Sequence, residues 1–288
     1  MTTTLQCTDE YKLYQLSTLK LPTLPAGTPF LLKSLTNENI DFIELATILE
    51  KFPSIAGKLI SLANSAWSAP TSEVTSLEVT CSRLGLGVVR STSIALAIAA
   101  PFNPTRCLSF DSEYFWCSAL MTADAASRLA MISSSGNDLE PSTARAAGLL
   151  HNLALLWLVD KLPEEVDQAL TMVNKNQAES LQQALIQVLG FDQAQAGGHL
   201  GFSWALPNSL VQAMTHYLEA DYQGSEREIV TTTGLAIELV SAVFKEEPCP
   251  EPDNHLSVLG ITEENLETVF AQLNEQLVKT RAIAKVLI

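Results

Sequence analysis

Residues 144–159 read ARAAGLLHNLALLWLV and are apolar on nearly every side of a helix. A helix that is apolar all round is buried, so this stretch predicts one central helix in a helical bundle. The polar pair His151–Asn152 in its middle needs partners, because each unsatisfied buried imidazole or amide costs about 1 to 3 kcal/mol. The pair therefore predicts either a small polar pocket or a core histidine whose hydrogen bonds are met by its neighbours.

The first hundred residues carry helix signals almost throughout. Asn37 or Asp41 is placed to cap one helix, Pro53 suits the first turn of the next, and Asn64 closes that helix and its turn. The signals that follow predict a helix over 76–84, a break at Gly85 and Gly87, and a helix over 88–100 that is stopped by prolines.

The remaining chain predicts a second group of helices after a boundary at residues 101–111. The expected elements are a helix over 114–131, a loop over 133–137, a cap at Ser142, a helix over 177–189 ended by Gly190, helices over 192–204 and from Pro207, an acidic proline-rich loop over 246–254, and a final helix capped by Thr262. No strand-like alternation longer than a few residues occurs. We expect an all-α, two-lobed helical bundle, with units at 1–110, 111–245 and 246–288.

Short motifs in a fixed order give the chain a family resemblance. They are Leu21 to Pro25 (LPTLP), Leu59 to Ala66 (LISLANSA), Arg83 to Gly85 (RLG), Phe115–Trp116, Ala147 to Asn152 (AGLLHN) and Trp204 to Pro207 (WALP). With these motifs the chain resembles the bacterial HDOD domains, relatives of the HD-type metal-dependent phosphohydrolases that have lost much of the metal site. The resemblance covers about residues 21 to 217 and implies an all-α fold with an HD-like second lobe.

The departures from the HD pattern bear on activity. Asn152 stands where an HD enzyme has aspartate, Ser118 and Gln193 stand where the family often has histidine, and the expected histidine pair reads His216–Tyr217. At roughly 4 Å and an effective dielectric of about 20, a lost charge pair is worth about 4 kcal/mol, or about a thousandfold in metal affinity. The degenerate pocket would thus consist of Ser118, His151, Asn152, Gln193 and His216, with no catalytic residue, bound metal or cofactor expected.

Composition narrows the class of partner and the compartment. The chain has 288 residues with 32 acidic and 17 basic side chains, a net charge of -15, which disfavours binding to nucleic acid phosphates. Its longest apolar stretches fall far short of the ~20 residues of a membrane span, and no secretory signal is evident at the N-terminus. Five widely spaced cysteines without a CxxC pair indicate reduced thiols and a cytoplasmic location, with Cys117 read as a buried structural thiol.

Three classes of function fit these observations. The resemblance implies a non-catalytic signal-transduction or scaffold module that acts through protein partners, and kinship with HD enzymes implies a metal-dependent phosphohydrolase as the alternative. A nucleotide or small-molecule sensor using the degenerate pocket is the third. The last helix is expected to pack on the second lobe or to offer a homodimer surface.

Overall fold

The fold was analysed in a computed structural model, which describes residues 16, 18–23, 27–28, 30–31, 40–64, 73–134, 139–251 and 255–288. Every regular element in these ranges is a helix, as the sequence predicts. Two groups are separated by a short 3-10 turn at Pro104–Arg106. The first comprises α1 (Phe42–Leu49), α2 (Pro53–Ala63), α3 (Leu77–Leu84) and α4 (Leu86–Ala99). The second comprises α5 (Ser112–Ile132), α6 (Pro141–Leu150), α7 (Leu153–Lys161), α8 (Pro163–Asn174), α9 (Leu181–Leu189), α10 (Gln193–Ser203), α11 (Asn208–His216), α12 (Arg227–Lys245), α13 (His255–Leu259) and α14 (Glu263–Leu287).

Local sequence signals set most helix ends in the first lobe. Asp41 caps α1 by accepting hydrogen bonds from the N–H groups of Ile43 and Glu44, while the predicted cap Asn37 lies outside the described residues. Asn64 ends α2, and its side chain is bonded to the backbone of Val74. Its Nδ2 donates to the carbonyl oxygen of Val74 at 2.7 Å, and its Oδ1 accepts from the Val74 N–H at 2.8 Å. The structural role predicted for Asn64 is confirmed.

One glycine, rather than two, separates α3 from α4. Gly85 has φ of +84°, a conformation that side chains disfavour, and the chain turns sharply there. Gly87 lies inside the first turn of α4, so the break predicted at that residue is wrong. No single helix in the described ranges is long and apolar enough to cross a membrane, although α3 and α4, bent by 112°, together meet that test of length and composition.

Helix α5 occupies the centre of the second lobe. Its 21 residues pack against α6, α12 and α14, and it also contacts α4 of the first lobe. Alanines and other small side chains on α5 allow this close packing. The single central helix predicted over 144–159 is wrong, because the chain leaves helical geometry at Asn152 and forms α6 and α7 instead. The apolar pattern runs unbroken across this bend, so hydrophobic periodicity could not locate it.

Other helix ends show which local signals were sufficient. Thr262 caps α14 and Gly190 ends α9 in the left-handed conformation, as predicted. The cap predicted at Ser142 is wrong, because α6 begins with Pro141 in its first turn after Glu140. Proline fits that position because its fixed φ is helical and no hydrogen-bond donor is required there. Helix α14 packs against α5 and α12 of the second lobe and also contacts α2 and α4 of the first lobe.

The segment before α1 is attached to the second lobe by two indoles. Trp157 of α7 donates from Nε1 to the carbonyl oxygen of Lys20 at 3.3 Å. Trp204, which follows α10, donates from Nε1 to the carbonyl oxygen of Pro22 at 3.0 Å. The first residues of the LPTLP motif therefore lie against the second lobe, while Leu24 and Pro25 are outside the described residues.

Candidate functional site

His151 lies at the bend between α6 and α7 and is 5% exposed. Its Nδ1 is 2.7 Å from the carbonyl oxygen of Gly148. Because a carbonyl oxygen can only accept, the ring carries its proton on Nδ1 and keeps a lone pair on Nε2. Burial lowers the pKa of His151 to about 4, and the bond to Gly148 offsets part of this effect. The imidazole is therefore neutral at physiological pH.

Tyr217, at the end of α11, covers the imidazole. The two rings meet edge to face with centroids 5.1 Å apart. Burial raises the pKa of the Tyr217 hydroxyl well above its ordinary value, an effect that a polar contact with Gln193 reduces and nearby Asp192 adds to. His151 and Gln193, two of the predicted pocket residues, are thus brought to the same tyrosine ring.

Asp192 is the carboxylate that acts on Tyr217, and both of its oxygens are engaged elsewhere. Oδ1 accepts from the backbone N–H of Gln195 at 2.8 Å, and Oδ2 accepts from Nε2 of Gln182 at 3.0 Å. The Gln195 side chain returns a hydrogen bond to the Asp192 backbone, which completes a capping box at the start of α10. The position of Asp192 is explained by helix capping.

The other predicted pocket residues have different surroundings. Asn152 is at the bend beside His151, with Oδ1 buried and unbonded among the described residues. Ser118 is half-buried on α5. His216 is separate from the cluster, because its ring stacks on Tyr222 and its Nδ1 is 2.7 Å from Oε1 of Glu219. None of the five predicted residues lines any of the three cavities described.

The contacts of Tyr217 with His151 and of His199 with Trp157 were not predicted from the sequence. The sequence gives Tyr217 as the second member of a His–Tyr pair and places it with Leu210 and Met214 on the apolar face of its helix, but does not assign it to the pocket. His199 of α10 stacks on Trp157, with ring centroids 6.1 Å apart, and its Nε2 is buried without a hydrogen-bond partner in the described structure. Burial lowers the pKa of His199 as well. No sequence motif marked that residue.

The donor set at the bend does not fit the divalent ion that an HD phosphohydrolase holds. The side chains there are neutral: one imidazole, two amides and a phenol. A buried dication would have no carboxylate to balance its charge, because the oxygens of Asp192 cap a helix and bind Gln182. Among the residues the structure describes, no group of three or more His, Cys, Asp or Glu side chains is arranged to hold a metal.

Burial also explains why Cys117 is unreactive. Cys117 is 1% exposed on α5, and burial raises its pKa to about 11. A thiol with that pKa is almost entirely protonated near neutral pH, and only the thiolate is a good nucleophile. Cys117 is consequently a packing residue, as predicted.

Comparison with known proteins identifies the architecture. A model of the HDOD domain family matches residues 21–220. A protein assigned to signal transduction from Marinobacter aquaeolei VT8 has a TM-score of 0.82 at 21% identity, over 98% of this chain and 66% of that one, so this chain spans less than two thirds of the Marinobacter chain. An HDOD domain protein with unknown function from Geobacter sulfurreducens has a TM-score of 0.74 at 18% identity, over 99% of each chain.

A third solved structure, assigned as a phosphohydrolase from Shewanella amazonensis SB2B, has a TM-score of 0.70 at 22% identity, over 99% of this chain and 97% of that one. No curated protein matches the sequence. At these identities the likenesses establish a shared fold, including the HD-like second lobe.

Proposed function

This chain belongs to the HDOD domain family, and on that premise we propose that it is a non-catalytic signal-transduction or scaffold module that acts by binding protein partners. The observation that carries the proposal is the neutral, closed surrounding of His151. Its ring is buried, and its Nδ1 donates its proton to the carbonyl oxygen of Gly148. The ring also packs edge to face with the ring of Tyr217. Such a histidine contributes to packing.

Hydrolysis of a phosphate ester at this bend would need groups that the bend does not supply. A metal-dependent hydrolase uses its ion to stabilise developing negative charge and to generate hydroxide from bound water. The amides of Asn152 and Gln193 carry no charge to hold that ion. Their buried oxygens, which lack hydrogen-bond partners among the described residues, are instead relics of a polar site in a scaffold that has kept its fold.

The acidic character of the chain supports recognition of a protein partner. Its net charge of -15 favours a basic or neutral partner surface and keeps the protein soluble. Electrostatic recognition of this kind accelerates association and weakens with added salt. We therefore expect complexes with a protein partner that are more stable at low than at high ionic strength.

The decisive experiment measures metal content and hydrolysis on the same preparation. Purified protein is incubated with Mn²⁺, desalted and analysed for bound metal, and then assayed with a chromogenic phosphodiester. We expect less than about one metal ion per ten chains, which is about an order of magnitude below full occupancy. We also expect no Mn²⁺-dependent hydrolysis. Stoichiometric metal with chelator-sensitive hydrolysis would establish the phosphohydrolase alternative and overturn the proposal.

A second measurement addresses partner binding directly. The protein is immobilised and used to isolate co-purifying proteins from its native host at two salt concentrations. Proteins that are retained at low salt are then purified and tested for direct binding. A partner that binds with a salt-dependent affinity supports the proposal, and failure of every isolated protein to bind directly contradicts it.

A further inference from the structure

A polar cleft lies between the two lobes, away from His151. Two adjoining cavities of about 300 and 230 Å³ form it, and they share Gly87, Ser91 and Arg145 in their walls. The first cavity is bounded by α4 of the first lobe and by α5 and α6 of the second. The second cavity extends from there along α5 to α14. Clefts at the meeting of two structural units are common places for small ligands.

The charge of this cleft is opposite to that of the molecule. The protein has 17 basic and 32 acidic residues, yet the first cavity is lined by Arg90 and Arg145 and by no acidic side chain. The second cavity adds Arg128 and Lys279 against the single carboxylate of Asp124. The cleft therefore combines four basic groups with one acid, which favours an anionic occupant.

Arg145 is held with its guanidinium group at the junction of the two cavities. Its Nη2 donates to Oδ1 of Asp124 at 3.1 Å, and Oδ2 of the same carboxylate accepts from Nε of Arg128 at 2.7 Å. The Arg145 side chain is 22% exposed. The guanidinium group lies against Gly87 of α4, where an added Cβ atom would be in ordinary van der Waals contact with the Arg145 Cζ at 3.5 Å. The hydrogen bond to Asp124 thus fixes the orientation of Arg145 before any ligand binds, which lowers the entropic cost of recognition.

Hydroxyl groups and a helix end complete the anion-binding chemistry. Ser91 is 4% exposed and lies in the wall of both cavities, and its Oγ has no hydrogen-bond partner in the described part of the chain. Pro141 and Ser142, in the first turn of α6, line the first cavity, and the Glu140 side chain makes no capping bond to that turn. The positive end of a helix dipole, with its N–H groups, favours a phosphate. An unbonded buried hydroxyl beside it is an available donor.

We propose that this inter-lobe cleft binds a small molecule through a phosphate monoester, with the phosphate between Arg90, Arg145 and Ser91 at the start of α6. The remainder of the molecule occupies the second cavity towards α14, where Leu84, Val88 and Ile283 supply apolar surface. Arginine suits this task because its planar donors match two phosphate oxygens at once. The site goes beyond the proposed scaffold role and needs no catalysis, and a bound ligand would join α4 of one lobe to α6 of the other.

The test uses the full chain and four defined probes: inorganic phosphate, adenosine monophosphate, glucose 6-phosphate and adenosine. Calorimetry and melting temperature are recorded for each. We expect the phosphate-bearing probes to bind and to raise the melting temperature with concentration, and adenosine to do neither. Preference for the nucleotide, the sugar phosphate or free phosphate identifies the source of the phosphate. Absence of binding by all three, or equal binding of adenosine and its monophosphate, overturns the proposal.

Two serine variants on α4 separate ligand binding from folding. Ser91→Ala removes the hydroxyl from the cleft, and Ser93→Ala removes a hydroxyl that is equally buried and unbonded within the described structure but lines neither cavity. Both variants should fold as well as the parent. We expect Ser91→Ala to bind the best probe about tenfold more weakly and Ser93→Ala to bind within about twofold of the parent. Equal affinities in the two variants would contradict the assignment.

Arg145→Lys provides an independent variant at the same site. Lysine keeps the positive charge beside Asp124 but cannot present two parallel donors to a phosphate. We expect about a tenfold loss of affinity for the phosphate-bearing probe at a constant number of sites. Unchanged affinity would show that the guanidinium group does not contact the ligand.

Discussion

At the scale of single residues, burial decides the chemistry of His151. The ring has no water around it, so its charged form is disfavoured, and Gly148 accepts its one proton. The surroundings of His216 are different, because its side chain is 27% exposed and lies next to the carboxylate of Glu219. Two histidines that were both candidates for one pocket thus have unrelated roles.

Loss of the buried ring should lower stability. His151→Ala leaves a cavity beside Tyr217 and an unpaired Gly148 carbonyl group, and we expect it to lower the free energy of unfolding by about 2 to 4 kcal/mol. His216→Ala is the matched control and should cost less than about 1 kcal/mol, since the pair with Glu219 is at the surface. Urea denaturation of both variants checks this. Full stability of His151→Ala together with loss of a ligand signal would instead indicate a pocket-based function.

The protonation of His151 should also make stability depend on pH. Its pKa is about 4 in the folded chain against an ordinary value of 6.5, so protons bind the unfolded state more tightly. The contribution of the neutral His151 ring to the free energy of unfolding is complete above about pH 6.5. It is lost as the pH falls towards 4, by about 3 kcal/mol in all. We expect the parent to lose about that much more stability between pH 7 and 4 than His151→Gln. Identical pH profiles in denaturation experiments would disprove it.

Restoring the acidic residue of the HD pattern should not restore an enzyme. Asn152→Asp places a carboxylate where Oδ1 is buried, with no cation among the described groups at the bend to balance it. We expect lower stability and no Mn²⁺-dependent phosphodiesterase activity. Asn152→Leu, of similar size and without charge, serves as the control and should be the more stable of the two. Metal-dependent turnover by the single Asn152→Asp variant would refute this prediction.

At the scale of elements, the close approach of α5 and α6 depends on Gly148. A Cβ atom at this position would lie 2.6 Å from the carbonyl oxygen of Thr122 and 2.9 Å from the Cα of Ala123. These are backbone atoms, so the strain cannot be relieved by rotating a side chain. The bend that follows at His151 and Asn152 is thus preceded by a helix held directly against its neighbour.

Gly148→Ala should therefore separate α5 from α6. We expect it to lower the free energy of unfolding by about 1 to 3 kcal/mol or more, through backbone displacement. Gly57→Ala is a matched control in α2, where an added methyl group meets no atom within 4 Å, and it should raise stability by about 1 kcal/mol because alanine favours helices. Thermal and urea unfolding of both variants measure the difference. Equal effects at the two glycines would disprove the close packing.

At the scale of the whole molecule, two indole groups connect the N-terminal segment to the second lobe. The bonds from Trp157 to Lys20 and from Trp204 to Pro22 span more than a hundred residues of sequence. Together with the contact between α4 and α5, they show that the two helical groups are joined at more than one place.

Removing one indole N–H should loosen that segment locally. Trp204→Phe keeps an aromatic ring but loses the bond to the Pro22 carbonyl oxygen, at a cost of about 1 kcal/mol. We expect faster hydrogen exchange at the amides of Leu21 and Thr23, with little change in α5. Trp116→Phe, in the core of α5, is the control and should not affect those two amides selectively. Unchanged exchange at the Leu21 and Thr23 amides in Trp204→Phe would show that the bond does not hold the segment.

The sequence by itself determined the all-helical class, several helix ends and the family resemblance. Asp41, Asn64, Gly190 and Thr262 act through hydrogen bonds or backbone conformation within a few residues, so their effects can be inferred locally. Asn152 likewise carries no charge whatever the fold, whereas the HD pattern has an aspartate at this position. These inferences require no knowledge of distant residues.

Tertiary structure alone decided which side chains meet at the site. The apolar stretch over 144–159 has the same hydrophobicity on both sides of its bend, so only packing reveals that it forms two helices. Tyr217 reaches His151 from the end of α11, and Gln193 of α10 contacts Tyr217, whereas His216 stacks on Tyr222. The inter-lobe cleft likewise gathers Arg90, Arg128, Arg145 and Lys279 from α4, α5, α6 and α14. Contacts between residues so far apart in sequence depend on how helices pack, because no local signal encodes the distance between them.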